Sequence, residues 1–157
     1  MNPARPTPEQ LLHQVEEEER AQKRGRLKVF LGYSARVGKS FRMLDEGRRR
    51  AQRGQDVVVG AIQPRRSAEE DAVLAQLEVI PMRAREGALQ MDVPAILRRR
   101  PEFCLIDGLA YHNPPGSEFA ERWQEAEHLL ACGISVVVSL NLQFIAERRP
   151  AVAAILG

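Results

Sequence analysis

Apolar residues gather in a few short, nearly unbroken runs: Leu27–Leu31, Val57–Ile62, Phe103–Ile106 and Ile134–Leu140. All four read as strands, and the continuous β-branched run at Val57–Ile62 fits one covered on both faces of a parallel sheet. Between them the spacing changes to a helical one. A helix is predicted over 38–53, stopped by Gly54, and another from the Ser67 cap to about Leu77. A short strand follows over 77–82 and a short helix over 93–100. Pro114-Pro115-Gly116 marks a turn, after which Ser117 heads a helix with the stripe Phe119, Trp123, Ala126, Leu129 and Leu130, ended by Gly133. A last helix is predicted over 144–156. At the front, Thr7-Pro8-Glu9-Gln10 has the makings of a capping box, and its helix becomes almost wholly charged from Glu16 until Gly25 stops it. Strands alternating with helices predict an α/β fold with right-handed crossovers and a mostly parallel sheet. Residues 1–25 form a helical arm and 26–157 the domain.

Charge and composition narrow the function classes. With 23 Lys and Arg against 21 Asp and Glu the net charge is +2, and aromatics are 5%. Neither a nucleic-acid-binding field nor a base-stacking platform follows from that balance. The basic groups at 23–26, 48–50 and 98–100 fall at expected helix ends, where cations meet the negative end of the dipole. The longest apolar stretch, 134–142, is well short of the ~18 residues of a spanning helix, and residues 1–10 lack the apolar region of a secretion signal. The expectation is a cytoplasmic domain without membrane insertion. Cys104 and Cys132 both read as small buried hydrophobes. Of the three histidines only His112, in a loop after a strand, is placed to approach a site.

One segment carries chemistry. Gly32-Tyr33-Ser34-Ala35-Arg36-Val37-Gly38-Lys39-Ser40 follows a predicted strand and opens a predicted helix, the setting of a phosphate-binding loop. Backbone N–H groups of Ala35, Arg36, Val37, Gly38 and Lys39, with the helix N-terminus, would face a phosphate. Lys39 would add a full charge, Ser40 a hydroxyl for Mg²⁺, and Phe41 continues the helix beside them. The loop is irregular: Tyr33 stands where the usual pattern has its first glycine, and Arg36 where a glycine is common. Asp107, ending an apolar strand, fits the second Mg²⁺-holding group. Asn141 and Gln143, past the last strand, are further candidates for the phosphate end. The fold these features predict is a P-loop NTPase-like three-layer sandwich. In such sheets ligands bind beyond the carboxyl ends of the strands, so the loops at 32–39, 63–66, 107–113 and 141–144 should share one rim.

The ordered series Arg24-Gly25-Arg26-Leu27-Lys28-Val29-Phe30-Leu31-Gly32, Val37-Gly38-Lys39-Ser40, Gly54-Gln55-Asp56-Val57-Val58-Val59-Gly60, Leu105-Ile106-Asp107, Pro115-Gly116-Ser117, Arg122-Trp123-Gln124 and Asn141-x-Gln143 resembles the N-terminal sensor domain of KdpD-type histidine kinases. The resemblance runs over nearly the whole chain. It implies a nucleotide-binding regulatory domain ahead of histidine kinase modules in a membrane-bound, potassium- and osmotic-responsive sensor. It implies ATP, or another nucleotide, and Mg²⁺ as ligands, with kinase modules or another signalling protein as partners. The chain departs from the family on the rim. Gly108 follows Asp107 where the family has glutamate, Tyr111 stands for its histidine, and Gln63-Pro64-Arg65 for its Glu-Thr-His. A glycine cannot orient or deprotonate a water. Binding with little or no hydrolysis is therefore expected, and no histidine kinase activity from this chain by itself. The competing expectations are a degenerate domain that serves only to dock a protein, and an active P-loop ATPase.

Overall fold

The apolar runs form the centre of one parallel sheet in the computed structural model, which describes residues 7–32 and 39–141 and, for residues 16–23 and Lys39, the backbone alone. In chain order the elements are α1 (Pro8–Lys23), β1 (Leu27–Gly32), α2 (Lys39–Gln52), β2 (Val57–Ala61), α3 (Ala68–Leu74) and β3 (Glu78–Val79). They continue with β4 (Arg83–Arg85), β5 (Ala88–Gln90), α4 (Val93–Arg99), β6 (Phe103–Ile106), α5 (Arg122–Ala131) and β7 (Ser135–Asn141). The sheet runs β1-β7-β6-β2-β3 with every neighbour parallel, and β4 and β5 form a separate antiparallel hairpin.

Alternation along the strands splits the core in two, giving three layers. Val58, Cys104, Ile106, Val136 and Val138 pack with Ile96 of α4 and with Ala126, Leu129 and Leu130 of α5. Val57, Val59, Leu105 and Val137 face the other way, onto Met43 and Leu44 of α2 and Val73 of α3. Each of these large side chains contributes about 1.5–3 kcal/mol by leaving water. A Cβ on Gly47 would stand 2.3 Å from Leu105 Cδ1, so α2 comes closer to the sheet than any residue with a side chain would allow there. At the amino end of the sheet Arg99 of α4 donates to Asp56 at 2.7 and 2.8 Å and to Glu78 at 2.8 and 3.1 Å, tying the starts of β2 and β3 together.

Several sequence expectations stand. Thr7 and Gln10 make the reciprocal capping pair, Ser67 Oγ accepts from the Glu70 amide at 3.1 Å, and the arginine runs close α2 and α4. Others are corrected. Ser117 caps no helix: its hydroxyl donates to the Pro114 carbonyl inside a turn, and α5 begins at Arg122 with Glu121 as its cap. The Pro114-Pro115-Gly116 turn is thus longer than its sequence indicates. The strand expected over 77–82 shrinks to two residues, because the chain turns away into the β4–β5 hairpin that alternation did not reveal. Cys104 is buried, its thiol pushed up to about 12 by burial, but Cys132 is exposed at the end of α5. The helix expected over 144–156 lies outside the described residues. Among the described residues no helix is long and apolar enough to cross a membrane.

Candidate functional site

Parallel register brings the strand ends to one level. Gly32 pairs with Asn141, and Ile106 with Val138, which leaves Asp107 just beyond the carboxyl end of β6. Ser40, in the first turn of α2, reaches across and donates to Asp107 Oδ1 at 2.9 Å. Ser139 of β7 donates to the same oxygen. Asp107 is 1% exposed, and its other oxygen, Oδ2, is buried with no hydrogen bond among the described residues. A buried carboxylate oxygen left bare costs about 1–3 kcal/mol. The group is therefore set up to accept from a donor or a cation.

Around this carboxylate opens a cleft of about 540 Å³, walled by Ser40, Gln63, Pro64, Arg65, Glu70, residues 107–111 and residues 139–141. Three of the four rim segments expected from sequence thus meet in one place. Gly108 has φ +77°, and a Cβ there would fall 2.2 Å from the Gln63 amide nitrogen. This backbone favours glycine, and the Gln63 side chain fills the space over it. Asp107 N–H donates to the Ala61 carbonyl at 3.0 Å, Gly108 N–H to Ser139 Oγ at 2.9 Å, and Leu109 N–H to the Ser139 carbonyl at 3.3 Å.

The turn is backed by a buried cation. Arg122, the first residue of α5, donates to the carbonyls of Asp107 at 2.8 Å and Gly108 at 3.1 Å. Its guanidinium also lies 4.2 Å from the centroid of the Tyr111 ring, a stacking contact of about 0.5–2 kcal/mol. Burial lowers the Arg122 pKa, and the nearby Glu125, Tyr111 and Asp107 partly offset this. Glu125, one turn along α5, is fully buried and accepts from Asn113 Nδ2. Burial pushes its carboxyl up to about 7, against the opposing pull of Asn113, Arg122 and Arg83.

The residues singled out in the sequence fare differently. Ser40, Asp107 and Asn141 line the cleft; Gly32 ends β1 next to it. Phe41 packs toward Met43 and Leu44 on the α2 side of the core rather than into the cleft. Lys39 begins α2, while Tyr33, Ser34, Ala35, Arg36, Val37, Gly38 and Gln143 lie outside the described residues. His112 does not line the cleft; its Nδ1 pairs with Glu121 at 3.0 Å. Gln63 lies on the rim, as its loop was expected to, whereas sequence reasoning gave no role there to Ser139 or Arg122. The signals were faint: one hydroxyl inside an apolar strand, and one arginine where a helix begins.

The comparisons with known proteins agree with one another. The family profile described as KdpD, osmosensitive K⁺ channel His kinase sensor domain, matches residues 23–157. The sensor protein KdpD of Escherichia coli K12 is 38% identical over 159 residues, which is 99% of this chain and 17% of that protein. The sensor protein KdpD of Mycobacterium tuberculosis H37Rv is 39% identical over 139 residues, 86% of this chain and 16% of that protein. That of Clostridium acetobutylicum is 36% identical over 159 residues, 99% and 18% respectively. The chain spans less than a fifth of the length of each of these relatives. With a sensor-domain profile covering all but its first helix, the chain belongs to the KdpD sensor-domain family.

Proposed function

We propose that this domain is a nucleotide-binding regulatory module of a KdpD-like two-component system, working on the cytoplasmic side and holding a nucleoside triphosphate with Mg²⁺ at the cleft. One observation carries the reading: Ser40 Oγ meets Asp107 Oδ1 at 2.9 Å while Asp107 Oδ2 stays buried and bare. A hydroxyl from the start of a helix and a carboxylate from the end of a neighbouring strand suit a hard cation that also bridges phosphate oxygens. Ser40 and Asp107 would hold the Mg²⁺, which would neutralise charge on the phosphates. The amides leading into α2 and the Lys39 ammonium would hold the phosphates themselves.

Turnover is expected to be slight. No carboxylate follows Asp107, and the amide of Gln63 occupies the space over Gly108. An amide can orient a water but cannot take its proton. The domain then reports the bound nucleotide by its shape to kinase modules or to another signalling protein.

Calorimetric or thermal-shift titration with ATP and Mg²⁺ tests this. Mass action gives about 2.7 kcal/mol of stabilisation at a hundredfold excess of ligand over Kd, and Lys39→Ala should abolish it. No response of the unsubstituted domain to any of the common nucleoside triphosphates overturns the reading and leaves protein docking as its successor.

A further inference from the structure

We propose that Arg122 is a positioning residue for the Asp107 site: it fixes the turn at 107–108 so that the Asp107 carboxylate stays aimed at Ser40 and the cleft. The proposal deepens the nucleotide reading and rests on it for its ligand.

The observation behind it is the accounting of polar groups in that turn. Beyond Ile106 the backbone leaves the sheet ladder, and its amides find partners on Ala61 and Ser139. Its two carbonyls, of Asp107 and Gly108, receive the guanidinium of Arg122. Without a donor the buried Asp107 carbonyl and the half-buried Gly108 carbonyl would be left unpaired, so Arg122 decides whether this conformation of the turn is held.

A space-filling role alone does not account for an arginine here. Arg122 is 3% exposed, and its Nε is buried with no hydrogen bond. An apolar side chain of similar volume would fill the same space at lower cost. What the guanidinium supplies is one terminal nitrogen, Nη1, that donates to both consecutive carbonyls behind a ligand-facing carboxylate, while its plane stacks on Tyr111. Tyr111 clamps the guanidinium from the cleft side, and Glu125 supplies a counter-charge from the next turn of α5. Because Arg122 is also the first residue of α5, it ties the start of that helix to the cleft wall.

The test uses Arg122→Lys, which keeps the charge but is one atom too short to stand where Nη1 stands and loses the flat face stacked on Tyr111. Groups that orient a metal's ligands from behind typically change metal affinity about 10–100-fold when altered. The whole chain is titrated with ATP in the presence and absence of Mg²⁺. The gain in affinity that Mg²⁺ confers should fall about tenfold in Arg122→Lys, with Mg²⁺-free ATP binding unchanged. A residue that merely supports the fold would weaken both equally, and that result overturns the proposal. A second readout needs no nucleotide: amide hydrogen exchange of Gly108 should accelerate about tenfold in the variant while Val58 and Leu105 stay protected. Full Gly108 protection in Arg122→Lys also overturns it. If the unsubstituted chain binds no nucleotide, the proposed function fails, and the Gly108 exchange alone decides the positioning role. Should Arg122→Lys not fold, Tyr111→Leu removes only the stacked ring and must shift both readouts the same way by a smaller factor; no shift counts against the proposal.

Discussion

Asp107 and Glu125 are carboxylates with almost no exposure, and the geometry gives each one oxygen without a hydrogen bond among the described residues. Their surroundings make them different reagents. Asp107 sits where a strand ends on an open cleft, accepts from the hydroxyls of Ser40 and Ser139, and has apolar strands behind it. Glu125 sits one turn into a helix and away from that cleft. It meets an amide on Asn113 and has the positive charges of Arg122 and Arg83 near it. The first is placed to accept from whatever donor or cation enters the cleft. The second is furnished as an internal counter-charge. Burial alone therefore does not mark a functional carboxylate; what distinguishes these two is whether the bare oxygen lies beside a second hard donor on a rim.

Breaking the counter-charge side should cost most. Arg122→Ala takes the donor from two carbonyls and a nearby positive charge from Glu125, and should lower stability by about 2–5 kcal/mol in urea unfolding at pH 8. A loss under about 1 kcal/mol would mean that the turn does not depend on Arg122. Next comes the pH profile. The Glu125 carboxyl ionises near 4.5 in the unfolded chain and is raised to about 7 when folded. Between those values the folded state holds more protons, so stability should fall as pH rises through that window, by about 3 kcal/mol in all. Glu125→Gln should remove that fall, leaving a flatter profile between pH 5 and 7.5; an unchanged slope would assign the titration elsewhere. On the Asp107 side, Ser139→Ala removes an acceptor from Gly108 N–H and a donor to the carboxylate, at a cost of about 1–3 kcal/mol, read from the thermal midpoint. Ser40→Ala should be the mildest for stability, about 1 kcal/mol or less, since Ser40 is only partly buried. A large loss there would make Ser40 a structural bond rather than a waiting ligand.

Legibility in the sequence followed the same division. The sheet could be read because β2, β6 and β7 are short, largely apolar runs buried over most of their length, a pattern with few other solutions. Ser40 and Asp107 could be read because helix starts and strand ends restrict where a side chain points. Ser139 could not, since one hydroxyl in an apolar run announces nothing until β7 is seen beside β6. Nor could Arg122: its partners are backbone carbonyls, which carry no residue identity. The β4–β5 hairpin escaped because strands of three residues are too short for alternation to register. The turn at 114–117 ends in a stretch held by Ser117, and hydroxyls serve turns and helix caps alike.

In the proposed function, Ser40 and Asp107 jointly hold the divalent cation that accompanies the nucleotide. Mn²⁺ is the direct probe, its spin resonance broadening when protein oxygens replace water. With ATP present, the unsubstituted domain should bind one Mn²⁺ and show a perturbed signal; Ser40→Ala and Asp107→Asn should each restore that of Mn²⁺–ATP in solution. An identical perturbed signal in all three proteins would contradict the account.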